Sequence, residues 1–330
     1  MPGNAANGPT WEDLGVAGRD AARVFTEEGM RLARRGSHEE ALRWYARALQ
    51  EDPTCVQAWV ASSFALGKLG RYREEVKACD QALALDPGLV PAWINRGFAL
   101  GKLSRFEEKI ACCDRAIGLS PGAAMEASAW SARGHALGEL GRYEEELAST
   151  ERAVSLRPRY LGAWVNRGYA LLKLKRYREA QASFTRALEI FPGYAAAWTN
   201  KGITHCHVGE YAQALACFAE AERLRPAGMR RVRYWKALAL AQCGHHREAV
   251  TLLEEVVRDN PRHAEAWVVL SNCHFLQGRL EESVRCFMVA YGIDRRDIQS
   301  CMVRGVGLLR DGKKDEALHC FSQAFGILLR

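Results

Sequence analysis

Nothing in the sequence approaches the roughly 18 consecutive apolar residues that a membrane-spanning helix needs. The stretch from Met1 to Asp20 is rich in Gly, Asn and Ala and lacks the basic-then-apolar order of a secretion signal. Charge of one sign is not in great excess: 46 Lys and Arg against 39 Asp and Glu leave a net +7, which admits an acidic partner without requiring one. A paired cysteine framework is missing as well. The eleven cysteines are odd in number, and Cys79, Cys112, Cys113, Cys217, Cys286 and Cys320 fall at helical positions, where a free thiol packs as a small hydrophobe. A reducing cytoplasm is therefore the expected location. No nucleophile, base and orienting group stand together, so an enzyme is not expected, nor is a cofactor.

Proline is scarce, with ten in 330 residues, yet seven of them keep a fixed interval. Pro53, Pro87, Pro121, Pro158, Pro192, Pro226 and Pro261 follow one another at 34, 34, 37, 34, 34 and 35 residues. A period of that size marks stacked repeats, whose length counts units instead of filling one core. Aligning the prolines brings Trp59, Trp93, Trp130, Trp164, Trp198 and Trp267 into register, each followed four residues later by Gly or Ser. An Ala recurs later in each unit, as at Ala82, Ala116, Ala153, Ala187 and Ala221. Large and small residues alternating at helical spacing let two helices approach closely. Gly70, Gly141 and Gly209 lie between the two halves of their units, where a positive φ ends a helix cheaply. Each Pro stops the second helix and opens the next unit.

These residues resemble the tetratricopeptide repeat family, with its 34-residue helix-turn-helix unit. The fullest copy is Trp164, Gly168, Leu171, Tyr177, Ala180, Phe184, Ala187 and Pro192. The resemblance implies an all-α, right-handed superhelical solenoid of about nine repeats over residues 22–330, starting near 22, 56, 90, 127, 161, 195, 230, 264 and 298, after a flexible segment 1–21. Three extra residues around Gly122-Ala123-Ala124-Met125 are expected to lengthen a helix or loop, and one more precedes the seventh unit near Gly228.

In this family the concave groove lined by the first helices binds peptides. Numbering residues within each unit, the groove stripe here carries Asn95, Asn166 and Asn200 at position 6, and Phe64, Phe98, His135 and Tyr169 at position 9. Arg34, Lys68, Lys102, Lys173 and Arg310 occupy position 13. A side-chain amide suits the backbone of an extended peptide, and the cations favour an acidic segment or a terminal carboxylate. The expected function is a non-enzymatic scaffold that holds a protein or peptide segment. The alternatives are a regulatory or sensor subunit for a partner enzyme and, weaker, a nucleic-acid-binding helical repeat. The subclass that clamps acidic chaperone tails is matched only in part: Asn166 and Asn200 agree and Arg231 can stand for a Lys, but Gly162 and Trp235 replace other clamp cations. The asparagines also look like the ladder in the repeat domain of the glycosyltransferase that attaches N-acetylglucosamine to proteins.

Other motifs are thin. His205-Cys206-His207 and His245-His246 have ligand chemistry, but the triplet spreads around its helix and His205 falls on a core position, so no metal is expected. Gly97 to Lys102 is one residue short of a phosphate loop and is followed by Leu103 where a hydroxyl should stand. A base-reading code is absent from position 6, which runs from Glu27 and Ala61 to Trp235 and Val269. Three further expectations concern contacts. Asp80, Asp114 and Glu151 at position 25 match Arg96, Arg133 and Arg167 at position 7 of the following units, a ladder of ion pairs. Glu75, Lys109 and Glu146 stand at position 20 where the family prefers Ala, so either these side chains snorkel outward or Lys109 bridges the two acids, the bridge being the preferred expectation. The apolar residues Val303, Val306, Leu309, Phe325, Leu328 and Leu329 suggest self-association or a partner at the last repeat.

Overall fold

The computed structural model describes residues 18–119, 122–225 and 232–293, with isolated positions 304, 305, 307, 308, 311–313, 316 and 320 of the last repeat. Segment 1–17, Arg231, Arg310 and the apolar residues named for the C-terminal end lie outside the described residues. The described residues form helices and turns with no strand among them. They fall into two compact units, one ending at Lys175 and one beginning at Arg176.

In the first unit the helices come in antiparallel succession as α1 (Arg19–Arg34), α2 (His38–Glu51), α3 (Val56–Lys68), α4 (Tyr72–Leu85), α5 (Val90–Lys102), α6 (Phe106–Gly118), α7 (Ala123–Glu139), α8 (Tyr143–Leu156) and α9 (Leu161–Lys173). Each packs on the next, and the odd-numbered first helices also touch one another, α1 on α3, α3 on α5, α5 on α7 and α7 on α9. The second unit holds α10 (Tyr177–Ile190), α11 (Ala195–His207), α12 (Tyr211–Leu224), α13 (Arg233–Gln242), α14 (His246–Asp259), α15 (Ala264–Leu276) and α16 (Leu280–Ile293). There α11 touches α13 and α13 touches α15.

The tryptophan and proline periods turn out to be one device. The indole Nε1 of Trp59, Trp93, Trp164, Trp198 and Trp267 donates to the carbonyl of the proline six residues earlier, at 2.8–2.9 Å. This bond fastens the inter-repeat turn to the first helix that follows it. Trp130 is the exception, because the three-residue insertion displaces its proline. It bonds Glu126 Oε1 at 3.2 Å instead, and α7 reaches 17 residues against 13 for α3. Between helices, Gly70, Gly141 and Gly209 have φ of +73°, +76° and +77°, while Ser104 and Lys175 adopt the same region at 59° and 60° in units that lack the glycine.

Position 8 explains how paired helices come together. A Cβ added to Gly202 would lie 2.5 Å from the ring of fully buried Phe218, and Gly29 stands in the same relation to Tyr45. Where position 8 is Ser63, the residue opposite shrinks to Cys79. In repeats one, two and six the two positions are matched in volume, whereas in repeat eight Ser271 faces the large buried Phe287.

Candidate binding groove

Positions 9 and 13 are one helical turn apart and share a face. The ammonium of Lys68 lies over the Phe64 ring at 5.1 Å, Lys102 over Phe98 at 5.4 Å and Lys173 over Tyr169 at 5.3 Å. Phe64 and Phe98 are each 49% exposed, so each lysine covers a ring that solvent still reaches. Each ring is also met edge-on from the second helix of the preceding repeat, by His38, Tyr72 and Tyr143 respectively. The stripe is therefore held from both sides. Among the described residues Arg34, Lys68, Lys102 and Lys173 form no ion pair, whereas Arg71, Arg105, Arg142 and Arg176 each bond the glutamate three residues on.

Four of the expected groove residues come together around one cavity. Arg34, Phe64, Lys68 and Asn95 line a space of about 830 Å³ whose remaining wall is largely apolar, with Met30, Val56, Val60, Leu89 and Pro91. Phe98, Lys102, Tyr169 and Lys173 repeat the lysine-over-ring pairing but do not line that cavity. The asparagines are partly committed inside the fold: Asn95 Nδ2 donates to Ser63 Oγ at 3.0 Å and Asn166 Nδ2 to the Ser131 carbonyl at 3.4 Å. Asn200 stands in the second unit, half-buried on α11. In that unit the groove chemistry changes. His207 takes position 13, stacked on Tyr177 at 4.7 Å and tilted against Trp235 at 4.8 Å.

Tetratricopeptide repeat models match residues 26–90 and 234–295, residues 160–227, and residues 90–122 and 127–160. The chain belongs to the tetratricopeptide repeat family. No curated protein matches it significantly. Among solved structures, the fold is similar to PilW, a type IV pilus biogenesis factor, at TM-score 0.57 and 19% identity over 63% of this chain and 94% of that one. PilF of Pseudomonas aeruginosa gives 0.56 and 17% over 63% and 94%. The APC/C hetero-tetramer Cut9-Hcn1 gives 0.57 and 12% over 87% and 52%. At these identities the likeness concerns the fold.

Tetratricopeptide repeats two to four depart from the family at position 20, and the expected bridge is not there. Glu75 and Glu146 are each 2% exposed, Lys109 is 9% exposed, and the lysine ammonium approaches His135 Nδ1 at 3.5 Å instead of either acid. Each charge occupies its own niche. A Cβ on Gly67 would meet the Glu75 carboxyl at 2.8 Å, one on Gly101 would meet Lys109 Cδ at 3.0 Å, and one on Gly138 would meet Glu146 Oε2 at 2.5 Å. These glycines are position 12 of the same repeats; repeats one and five to eight have Ala33, Leu172, Cys206, Ala241 and Phe275 there, and Ala or Ser at position 20. One carboxylate oxygen of each acid, Oε2, is buried without a hydrogen bond. Burial pushes the Glu75 carboxyl up to about 7 and that of Glu146 to about 8, where Glu139 adds repulsion. Burial lowers Lys109 and His135, so all four groups lean toward their neutral forms.

The ladder between repeats forms as the sequence implies. Arg96 meets Asp80 at 2.7 Å, Arg133 meets Asp114 at 2.7 Å and Arg167 meets Glu151 at 3.2 Å. The arginine side chains are 18–22% exposed and the acids about half exposed. Exposed pairs of this kind contribute about 0.2–1 kcal/mol. Asp114→Ala is accordingly expected to cost no more than about 1 kcal/mol by urea denaturation, and a larger loss would mean that the pair is structural and effectively buried.

Proposed function

We propose that the first-unit groove of this tetratricopeptide scaffold holds an extended, acidic protein segment that inserts a large apolar side chain into the cavity between repeats one and three. The observation that carries this reading is the contrast in charge pairing. Among the described residues Arg34, Lys68, Lys102 and Lys173 have no acid of their own, while the arginines at the helix turns are neutralised by neighbouring glutamates. Unpaired cations over exposed rings offer a carboxylate its partner and the adjacent methylene groups an apolar seat. A cavity of about 830 Å³ accommodates an aromatic or long aliphatic anchor with room to spare. Asn95, with its amide nitrogen spent on Ser63, has its carbonyl oxygen left to accept a backbone N–H from the segment. Scaffolding, not catalysis, is the role proposed, in a reducing compartment where the described cysteines, all free, stay thiols.

The test is selection from a displayed library of random peptides on the unsubstituted chain and on Arg34→Glu/Lys68→Glu. Acidic peptides with one large apolar residue are expected to dominate on the former and to lose at least about tenfold in affinity on the latter, as for loss of charge-assisted contacts. Equal enrichment on both would remove the groove from the reading. A single-stranded oligonucleotide that binds more tightly than any peptide would transfer the same stripe to nucleic acid.

A further inference from the structure

The ladder of position-25 acids and position-7 cations ends at repeat five, where Thr185 and then Ala219 take the acid's place, and a cleft opens at the first of these steps. Position 7 of repeats three to seven is Arg96, Arg133, Arg167, Lys201 and Lys236. Four of these cations have an acid: Asp80, Asp114 and Glu151 at position 25 in turn, and, for Lys236, Glu222 three residues beyond the position-25 Ala219, at 2.8 Å. Lys201 has none among the described residues, because Thr185 stands where the preceding repeats have an acid. Its placement is otherwise that of its counterparts. Lys201 lies over Trp198 at 5.8 Å, as Arg133 lies over Trp130 at 5.7 Å and Arg167 over Trp164 at 5.8 Å. Lys201 and Thr185 both line a cleft of about 590 Å³ formed by α10, α11 and α12 within the second unit. The small side chains of Ala182 and Ala216 form part of its wall.

The other charged groups of the cleft are already satisfied. Glu210 bonds Arg178, accepts from Gln181 Nε2 at 3.0 Å and meets His205 Nδ1 at 2.7 Å. Those bonds hold its carboxyl down at about 2, so it stays ionised and paired with Arg178 across the working range of pH. With Glu210 and Arg178 offsetting each other, Lys201 is the uncompensated charge of the cleft. Gln213 on the facing helix adds an amide.

We propose that this cleft binds a small oxyanion-bearing ligand, a carboxylate or phosphate compound, whose anionic group takes the place of the missing ladder acid opposite Lys201. Its volume is that of a metabolite site, smaller than the first-unit cavity, and it shares no residue with the groove stripe of Lys68 and Lys102. The site is independent of the peptide reading.

Calorimetric titration of the full chain at constant ionic strength, with inorganic phosphate in one arm and succinate in the other, tests it. Saturable binding of at least one probe is expected, and the probe that binds identifies the oxyanion. Thr185→Asp restores the acid found in other repeats and is expected to abolish binding while leaving the helical circular dichroism intact. Lys201→Met is expected to weaken binding at least about tenfold, and Lys77→Met, an exposed change on α4 outside both cavities, to leave it unchanged; Lys68→Met/Lys102→Met is titrated alongside to detect binding at the groove. Absence of saturable binding for both probes, or equal binding in Thr185→Asp, would overturn the proposal. Loss of binding only in the Lys68→Met/Lys102→Met chain would also overturn it, by moving the anion to the groove.

Discussion

At about pH 8.5 the chain carrying Glu75→Gln and Glu146→Gln is expected to melt well above the unsubstituted chain, and at about pH 5 the two are expected to melt close together, since the cause lies in the raised carboxyls. Each carboxyl is free to ionise near 4.5 in the unfolded chain but only at about 7 or 8 in its folded niche. The folded state therefore holds extra protons between those values. Its stability from these groups is full below pH 4.5 and is lost as pH rises through about 7 for Glu75 and 8 for Glu146. Each tenfold change in acid strength is worth roughly 1.4 kcal/mol, so the two carboxyls together represent on the order of several kcal/mol. A Gln fills the same space without ionising, so the variant does not incur that loss. Lys109 works in the opposite direction, since a lowered ammonium stabilises the fold as pH rises, but it is common to both chains and cancels in the comparison. Parallel melting curves against pH for the two proteins would show that the niches admit water and that the carboxyls titrate as on the surface.

Phe218→Ala is expected to remove about 3–5 kcal/mol, the range for an aromatic truncated in a closed core. Phe218 is fully buried, with its ring against the Cα of Gly202. The reciprocal change, Gly202→Ala, places a methyl group 2.5 Å from that ring and is expected to cost about 1–3 kcal/mol through overpacking. The pair should be non-additive: with Phe218→Leu in place, the methyl of Gly202→Ala has room, and the combined loss falls below the sum of the two separate ones. Chemical denaturation of the single and double variants reads this directly. Strict additivity would mean that α11 and α12 adjust independently and that volume matching at position 8 is not what sets their approach.

Comparable changes at the groove act differently. Lys68 and Lys102 stand over exposed rings, where a cation–π contact is worth about 0.5–1 kcal/mol. Their loss should disturb binding long before it disturbs folding. This separates them from the position-20 charges, which sit in the same repeats and, once buried, affect stability first.

The repeat is written in the sequence, and five of its first helices begin where the period puts them, at Val56, Val90, Leu161, Ala195 and Ala264. A proline every 34 residues, a tryptophan six residues after it and a glycine or serine four further on are local signals, each acting on a bond or turn within one unit. The ion-pair ladder was legible for a related reason: a fixed period turns a contact between repeats into a constant offset, so matching Asp80 with Arg96 is enough to foresee the next two. Positions 9 and 13 were legible as one helix face, which the lysine-over-ring contacts share, while their use as a binding groove is the proposal above.

What each face meets is set by packing. It placed Arg34, Phe64, Lys68 and Asn95 around one cavity and gave the amides of Asn95 and Asn166 partners inside the fold. It also overturned the bridge expected of Lys109, for which alternating signs were a poor guide, because each long side chain at position 20 folds onto a glycine of its own repeat before it can reach the next. The signal was present in Gly67, Gly101 and Gly138, but its meaning depended on which face of the first helix receives the second. Periodicity fixes which residues are equivalent, whereas burial, and with it the charge state of Glu75 and Glu146, depends on volume left by residues distant along the helix pair.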